Sequence, residues 1–211
     1  MHKLLAALLT LLAVLPGTVR AAPGEVRVRL ETTAGPITVA VDTRSVPKTA
    51  ANFLAYVDDG RFDGTYFYRA QRNKAGTGGF IQGGISTDAR RSLRPIAHEP
   101  TTRTGLRHVA GTLSMARRLP GSATGNFTIA VSPLPSMDAR GNNPGYAAFG
   151  RVVSGMDVVR RIHGLPTGGG REAMRGQMIL KPVKIVRAVR LDGKAKPTGR
   201  PRPWLLFQQR R

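Results

Sequence analysis

Arg69 ends an aromatic run, Tyr66-Phe67-Tyr68-Arg69, and Gln82 ends an apolar one, Phe80-Ile81-Gln82, just before the paired glycines Gly83 and Gly84. A guanidinium presents a planar fork of N–H donors, and a primary amide offers both a donor and an acceptor. Such groups hold carbonyls and steady shifting charge without forming a covalent bond. Taken alone, Arg69 is one cation in a chain with 33 Lys and Arg. Other chemistries are poorly served. The chain has no Cys, hence no thiolate and no disulfide framework. His98, His108 and His163 are dispersed without metal-ligand spacing and read as satisfied turn or surface residues. Ser114 lies in a strand pattern and lacks the Gly-x-Ser-x-Gly elbow of a hydrolase. Gly76-Thr77-Gly78-Gly79 is not followed by Gly-Lys-Ser/Thr, so no phosphate loop is written there. Asp58 and Asp59 end a helical pattern before Gly60 and read as solvent-exposed acids.

Two more segments complete an ordered set: Gly111-Thr112-Leu113-Ser114-Met115-Ala116-Arg117, then Tyr146 to Val153 running into Gly155-Met156-Asp157-Val158-Val159. Together, in this order and over roughly residues 26–190, they resemble the cyclophilins, the peptidyl-prolyl cis–trans isomerases. The resemblance implies a closed eight-stranded antiparallel β-barrel capped by two α-helices. It also implies a reaction without nucleophile, metal or cofactor. An X-Pro bond faces a rotation barrier of about 18–20 kcal/mol, and a site accelerates rotation by favouring the twisted amide over either planar form. Arg69 falls on the family's essential arginine, whose guanidinium donates to the pyramidal proline nitrogen or holds the neighbouring carbonyl. Gln82 falls on the substrate-binding glutamine, and Ala116 on a backbone contact beside the groove.

The chain departs from the family's pocket at several positions. Gly79 and Phe80 fill the stretch where an aromatic and a methionine are usual; Phe80 is either apolar floor or core. Gly125-Asn126-Phe127-Thr128 stands for Ser-Gln-Phe-Phe, so Asn126 replaces a longer amide and Thr128 a pocket phenylalanine. Met137 sits where an apolar residue closes the pocket, beside Ser136, where an aromatic is common. Tyr146 replaces the histidine of animal members, as it commonly does in bacterial periplasmic ones. Two functions therefore compete. One is an isomerase acting on proline-containing polypeptides during folding of exported proteins. The other is a cyclophilin-fold binding module with weak or no catalysis, holding proline-containing segments or anionic partners.

The elements that must position these residues are legible in outline. Val26, Val28 and Leu30 alternate with charged residues, Ala34-Gly35-Pro36 turns the chain, and Ile37, Val39 and Val41 alternate again, which predicts a hairpin. Residues 45–58 switch to helical spacing, with Ser45 as N-cap, Pro47 in the first turn and Ala50, Phe53, Leu54 and Val57 on one face. Strands are expected at 65–69, 79–83, 109–116, 126–131, 146–153 and 182–191, with a long mobile loop from Ala70 to Gly78. Ser154 to His163 reads as a second helix. Many strands and two helices favour an antiparallel barrel over a parallel sheet.

Residues 1–21 carry Lys3, an apolar run from Leu4 to Leu15 and the small-residue pattern Val19-Arg20-Ala21, the layout of a secretory signal peptide. This run of twelve residues, broken by Thr10, falls short of the about 17–25 needed to span a bilayer. The division expected is signal peptide 1–21, isomerase domain 22–192 and a basic Pro-rich tail 193–211 whose first half looks disordered and whose Trp204-Leu205-Leu206-Phe207 patch reads first as part of a floppy terminus and second as a patch that docks on the barrel or a partner. The net charge of +21 attracts anionic membrane surfaces or other polyanions. The basic residues are scattered, not gathered in a stripe with interleaved aromatics, which disfavours nucleic acid. The chain reads as a periplasmic monomer. N-terminal sequencing of protein from the periplasmic fraction should begin at Ala22 or Pro23; intact Met1 on cytoplasmic protein overturns this.

Overall fold

Period-2 alternation shapes the first hairpin. In the computed structural model, which describes residues 22–208, β1 (Glu25–Thr32) pairs with β2 (Gly35–Asp42) from Glu25↔Asp42 to Thr32↔Gly35. The expected signal segment and Arg210 and Arg211 of the tail lie outside the described residues. Val28, Leu30, Ile37, Val39 and Val41 all point inward and are fully buried. The chain continues through α1 (Pro47–Asp58), β3 (Thr65–Arg72), β4 (Gly79–Gly84), a four-residue α2 (Thr101–Thr104), β5 (Thr112–Met115), β6 (Asn126–Ala130), β7 (Ala148–Ser154), α3 (Met156–His163), β8 (Thr167–Gly168), β9 (Met178–Arg190) and α4 (Leu205–Gln208).

The strand order is β1-β2-β7-β5-β6-β4-β3-β9, and β9 pairs back onto β1. Every pairing is antiparallel. The result is the expected closed eight-stranded barrel, with the two-residue β8 added beside β9. Phe67, Phe127 and Phe149 fill the interior and meet Phe53 and Phe62 in a network of ring contacts 5.0–5.8 Å apart. Phe53 arrives from α1, whose buried face includes the expected Ala50, Phe53, Leu54 and Val57. At the other helix, α3, Val158, Val159 and Ile162 are buried against strands β2, β3 and β4.

Four local expectations need correction. Ser45 does not cap α1: the N-cap is Val46, without a side-chain bond. The remote Glu99 carboxylate instead accepts the Lys48 and Thr49 N–H groups and the Thr49 hydroxyl, placing negative charge on the helix N-terminus where the dipole favours it. The long loop before Gly79 is shorter than expected, because β3 runs on to Arg72 and the Asn73 side chain closes the hairpin by accepting from Thr77 and Gly78 N–H. Asp58 and Asp59 are not solvated. Asp58 pairs with Arg190 at 2.6 Å with both side chains largely buried, and Asp59 pairs with Arg61 at 2.7 Å with both almost wholly buried.

The tail is the fourth correction. Its backbone is tied to the same acids: Lys196 N–H donates to Asp58, and Thr198 donates to Asp59 through both N–H and hydroxyl. Arg61 reaches on to the Pro201 carbonyl. Trp204 is 2% exposed, with the guanidinium of Arg61 4.8 Å and that of Arg91 5.2 Å from its ring centroid. Cation–π attraction strengthens when the cation is desolvated, and Arg61 is almost completely buried. Burial would raise the Asp59 carboxyl, but hydrogen bonds from Thr198 and the Arg61 guanidinium outweigh it and hold the group below the usual carboxylate range. The tail is a strap on the barrel. Trp204→Ala should therefore lower the denaturant or thermal midpoint by the equivalent of about 3–5 kcal/mol, the cost of truncating a buried aromatic. An unchanged midpoint contradicts this packing.

Candidate functional site

Four neighbouring strands bring Arg69, Gln82, Thr128 and Ser114 into one transverse row. Arg69 faces Gln82, Gln82 faces Thr128, and Thr128 faces Ser114. Their strand neighbours Ile81, Phe127, Ile129, Leu113 and Met115 belong to the core. Alternation therefore puts the polar row on the outer face of the barrel. The row is nonetheless shielded: Gln82 is 9%, Thr128 5% and Ser114 1% exposed. The glycines of this region exist because chains pass closely. Gly84 has φ +116°, and a Cβ there would lie 2.1 Å from the Gly125 carbonyl oxygen. A Cβ on Gly125 would lie 2.2 Å from the Tyr56 ring, which accounts for the loss of a side chain at that departure from the family pattern.

The register of β3 slips between Phe67 and Arg69 against both of its neighbours. On the β9 side the partner changes from Val183 to Met178, so Arg69 arrives beside the start of β9 and the residue preceding it, Gln177. The Gln177 carbonyl accepts the Ala70 N–H, and its side-chain oxygen accepts from both Arg69 Nε at 2.9 Å and Nη2 at 2.7 Å. Nη2 also reaches the Ala173 carbonyl, while Nη1 donates to Gln82 Oε1 at 2.9 Å. Phe80 lies against the guanidinium, 5.1 Å from ring centroid to carbon. Burial pulls the Arg69 pKa down, and the nearby phenols of Tyr68 and Tyr146 favour its charged form. The guanidinium is thus half-desolvated and fixed along one edge.

Gln82 is fixed in turn. Its Nε2 donates to the Tyr68 hydroxyl at 2.9 Å, and that hydroxyl donates to Asn126 Oδ1 at 3.2 Å. Burial pushes Tyr68 up to about 12, so its hydroxyl stays neutral and keeps both roles at neutral pH. Asn126 grips the Ser86 backbone through both ends of its amide, so the shorter amide here braces the site from behind. Thr128 directs its hydroxyl to the Ser114 carbonyl at 3.4 Å and presents no ring. Ala116 follows β5, half-buried, with its N–H on the Asn126 carbonyl. Met137 and Tyr146, both half-buried, are joined by Tyr146 N–H to Met137 O at 2.8 Å, and Arg117 stacks on the Tyr146 ring at 4.8 Å.

The structure therefore gathers Arg69, Phe80, Gln82 and Thr128 directly. It connects Asn126 through Tyr68, and it places Tyr146 within electrostatic range of Arg69. Gln177 and Tyr68 went unassigned in the sequence. Tyr68 adjoins Arg69 and could have been suspected; Gln177 lies 108 positions from it, in a stretch without strand or helix periodicity.

This chain matches the cyclophilin type peptidyl-prolyl cis-trans isomerase/CLD family over residues 27–190. The chain belongs to the cyclophilins. It is 40% identical over 151 residues to a peptidyl-prolyl cis-trans isomerase of Streptomyces antibioticus, covering 68% of this chain and 87% of that one. It is 33% identical over 193 residues to peptidyl-prolyl cis-trans isomerase A of Dickeya dadantii, covering 88% and 98%. The crystal structure of a cyclophilin type isomerase from Cryptosporidium parvum superposes with a TM-score of 0.66 at 22% identity, over 81% of this chain and 99% of that one, which shows the shared barrel.

Proposed function

We propose that this cyclophilin catalyses cis–trans isomerisation of X-Pro bonds in exported polypeptides by non-covalent stabilisation of the twisted amide. The observation that carries the reading is the braced guanidinium. Arg69 has its Nε and Nη2 edge on Gln177 and its Nη1 on Gln82, over the Phe80 ring. A donor held this way need not reorganise when the proline nitrogen becomes pyramidal and accepts a hydrogen bond. Phe80 supplies apolar surface for the substrate, and Met137 and Tyr146 form the opposing wall, with Ala116 offering backbone beside them. Assignment to isomerase chemistry agrees with the names of the relatives, and a second crystal structure of the Cryptosporidium parvum protein was obtained in the presence of the dipeptide Ala-Pro. The periplasmic setting rests on the leader read in residues 1–21, and the family's bacterial periplasmic branch on Tyr146.

One observation favours the competing reading of a binding module with weak catalysis. Thr128 is buried and hydrogen-bonded where a phenylalanine would back the proline ring, so the pocket offers less apolar area. At about 25 cal/mol per Å², losing a few tens of Å² costs on the order of 1 kcal/mol of substrate affinity. A proline-tetrapeptide isomerase assay separates the readings.

Arg69→Ala should lower kcat/KM at least about tenfold with little change in melting temperature, since a charge-assisted bond is worth about 1.5–3 kcal/mol. Arg69→Lys should rescue poorly, because a point charge lacks the planar fork. Gln177→Ala should give an intermediate loss. Wild-type kinetics for Arg69→Ala would dismiss the assignment.

The basic surface is proposed to hold the protein near anionic membranes. Removing residues 1–21 takes Lys3 and Arg20 from the full-chain charge of +21 and leaves +19, which supports this. Co-sedimentation with phosphatidylglycerol vesicles should be strong at low salt and vanish as screening shortens toward about 3 Å at 1 M. No retention at low salt defeats the idea.

A further inference from the structure

Behind the row, Ser114, His108 and Asp138 form a hydrogen-bonded series. His108 Nδ1 lies 2.6 Å from Asp138 Oδ1, which also accepts the His108 backbone N–H at 3.0 Å, and His108 Nε2 lies 2.9 Å from Ser114 Oγ. The sequence reading of His108 as a turn or surface residue is wrong: it is 2% exposed, Ser114 1% and Asp138 8%. A nucleophile so enclosed cannot meet a carbonyl, so the series is no hydrolytic triad. Its position suggests another role. Asp138 directly follows Met137, whose carbonyl holds Tyr146. The Ser114 carbonyl holds Thr128, and the Ser114 hydroxyl lies 3.3 Å from the Ala147 carbonyl, next to Tyr146. The His108 carbonyl accepts the Leu134 N–H at the start of the turn that ends in Met137. Met137, Tyr146 and Thr128 are each a residue or a bond away.

The protons can be placed. An ionised Asp138 can only accept, so Nδ1 carries hydrogen and Nε2 offers its lone pair to the Ser114 O–H. We propose that His108 is a positioning residue for the peptide groove: in this neutral form it locks Asp138 to Ser114 and so holds the Met137–Tyr146 wall at a fixed distance from the Thr128 floor. The inference rests on the groove assigned above around Arg69. Protonation would make Nε2 a donor. The Ser114 hydroxyl would then have to accept from the ring and turn its own hydrogen to the Ala147 carbonyl, altering the tie beside Tyr146. Burial lowers the His108 pKa, against the opposing pull of Asp138. The ring is therefore neutral at neutral pH and charges only in acid, below the ordinary imidazole range. The charged and titratable groups facing it are Asp138, from the turn after Met137, and the exposed Arg107, 3.9 Å from Asp138 Oδ2; β5 and β6 present the hydroxyls of Ser114 and Thr128.

The test uses the chain from residue 22 onward, a proline tetrapeptide and Asp138→Asn, with Ser114→Ala as a second variant should the first fail to fold. An asparagine amide donating to Nδ1 forces the opposite tautomer, which 15N NMR of the imidazole reports directly. Wild type should show hydrogen on Nδ1 and a bare Nε2 at neutral pH. Asp138→Asn should raise KM about fivefold, the scale of one net hydrogen bond, with kcat nearly unchanged. Wild-type KM should rise only as the pH falls below the ordinary imidazole range, because burial lowers the His108 pKa, and either variant should lose that acid limb. A flipped tautomer in Asp138→Asn with wild-type KM and pH profile overturns the proposal, as does a wild-type ring protonated at Nε2. If Ser114→Ala alone folds, an unchanged acid limb overturns it. Arg69→Ala run alongside separates the failures. If it is fully active, the groove itself is misplaced; if it is inactive while the Asp138 and Ser114 variants behave as wild type, only the positioning role falls.

Discussion

Pairing of β9 back onto β1 is the constraint on which the remaining structure depends. It removes both sheet edges and gives every strand an inner and an outer face. The inner face must then be filled, and Phe67, Phe127 and Phe149 with Phe53 and Phe62 do so. The residues alternating with them can only point outward. That is why Gln82, Thr128 and Ser114 lie on the outer face, where covering loops can make them into a groove without opening the core.

A second consequence concerns charge. With 33 basic and 12 acidic residues, this chain has few carboxylates to spend on buried cations. Asp59 accordingly serves Arg61 and Thr198, and Asp58 serves Arg190 and Lys196 N–H. Arg61 and Arg91 have one carboxylate each, Asp59 and Asp88, and backbone carbonyls and the Trp204 ring supply their remaining partners. Buried charge without such partners would cost several kcal/mol. The same economy operates at Arg69, whose partners are neutral amides and a carbonyl. A carboxylate there would compete with a substrate for the guanidinium; an amide fixes it and leaves its charge available.

Much of this protein was determined by its sequence alone. The alternating strands of the first hairpin and the helical face of Phe53 follow from short-range periodicity, because a strand or helix face is written in residues two to four apart, whereas the eight-stranded closure and the roles of Arg69 and Gln82 were legible only through the resemblance to the cyclophilins. What only the tertiary structure decided is every contact between distant segments that share no pattern: Glu99 on the first helix, Gln177 on Arg69, the tail on Asp58, Asp59 and Trp204's two arginines, and His108 between Ser114 and Asp138. Ser45 and the acids before Gly60 were misread for one reason. A polar residue's preference for water or a local cap is worth about 1 kcal/mol, and a buried partner brought in by barrel closure outweighs it.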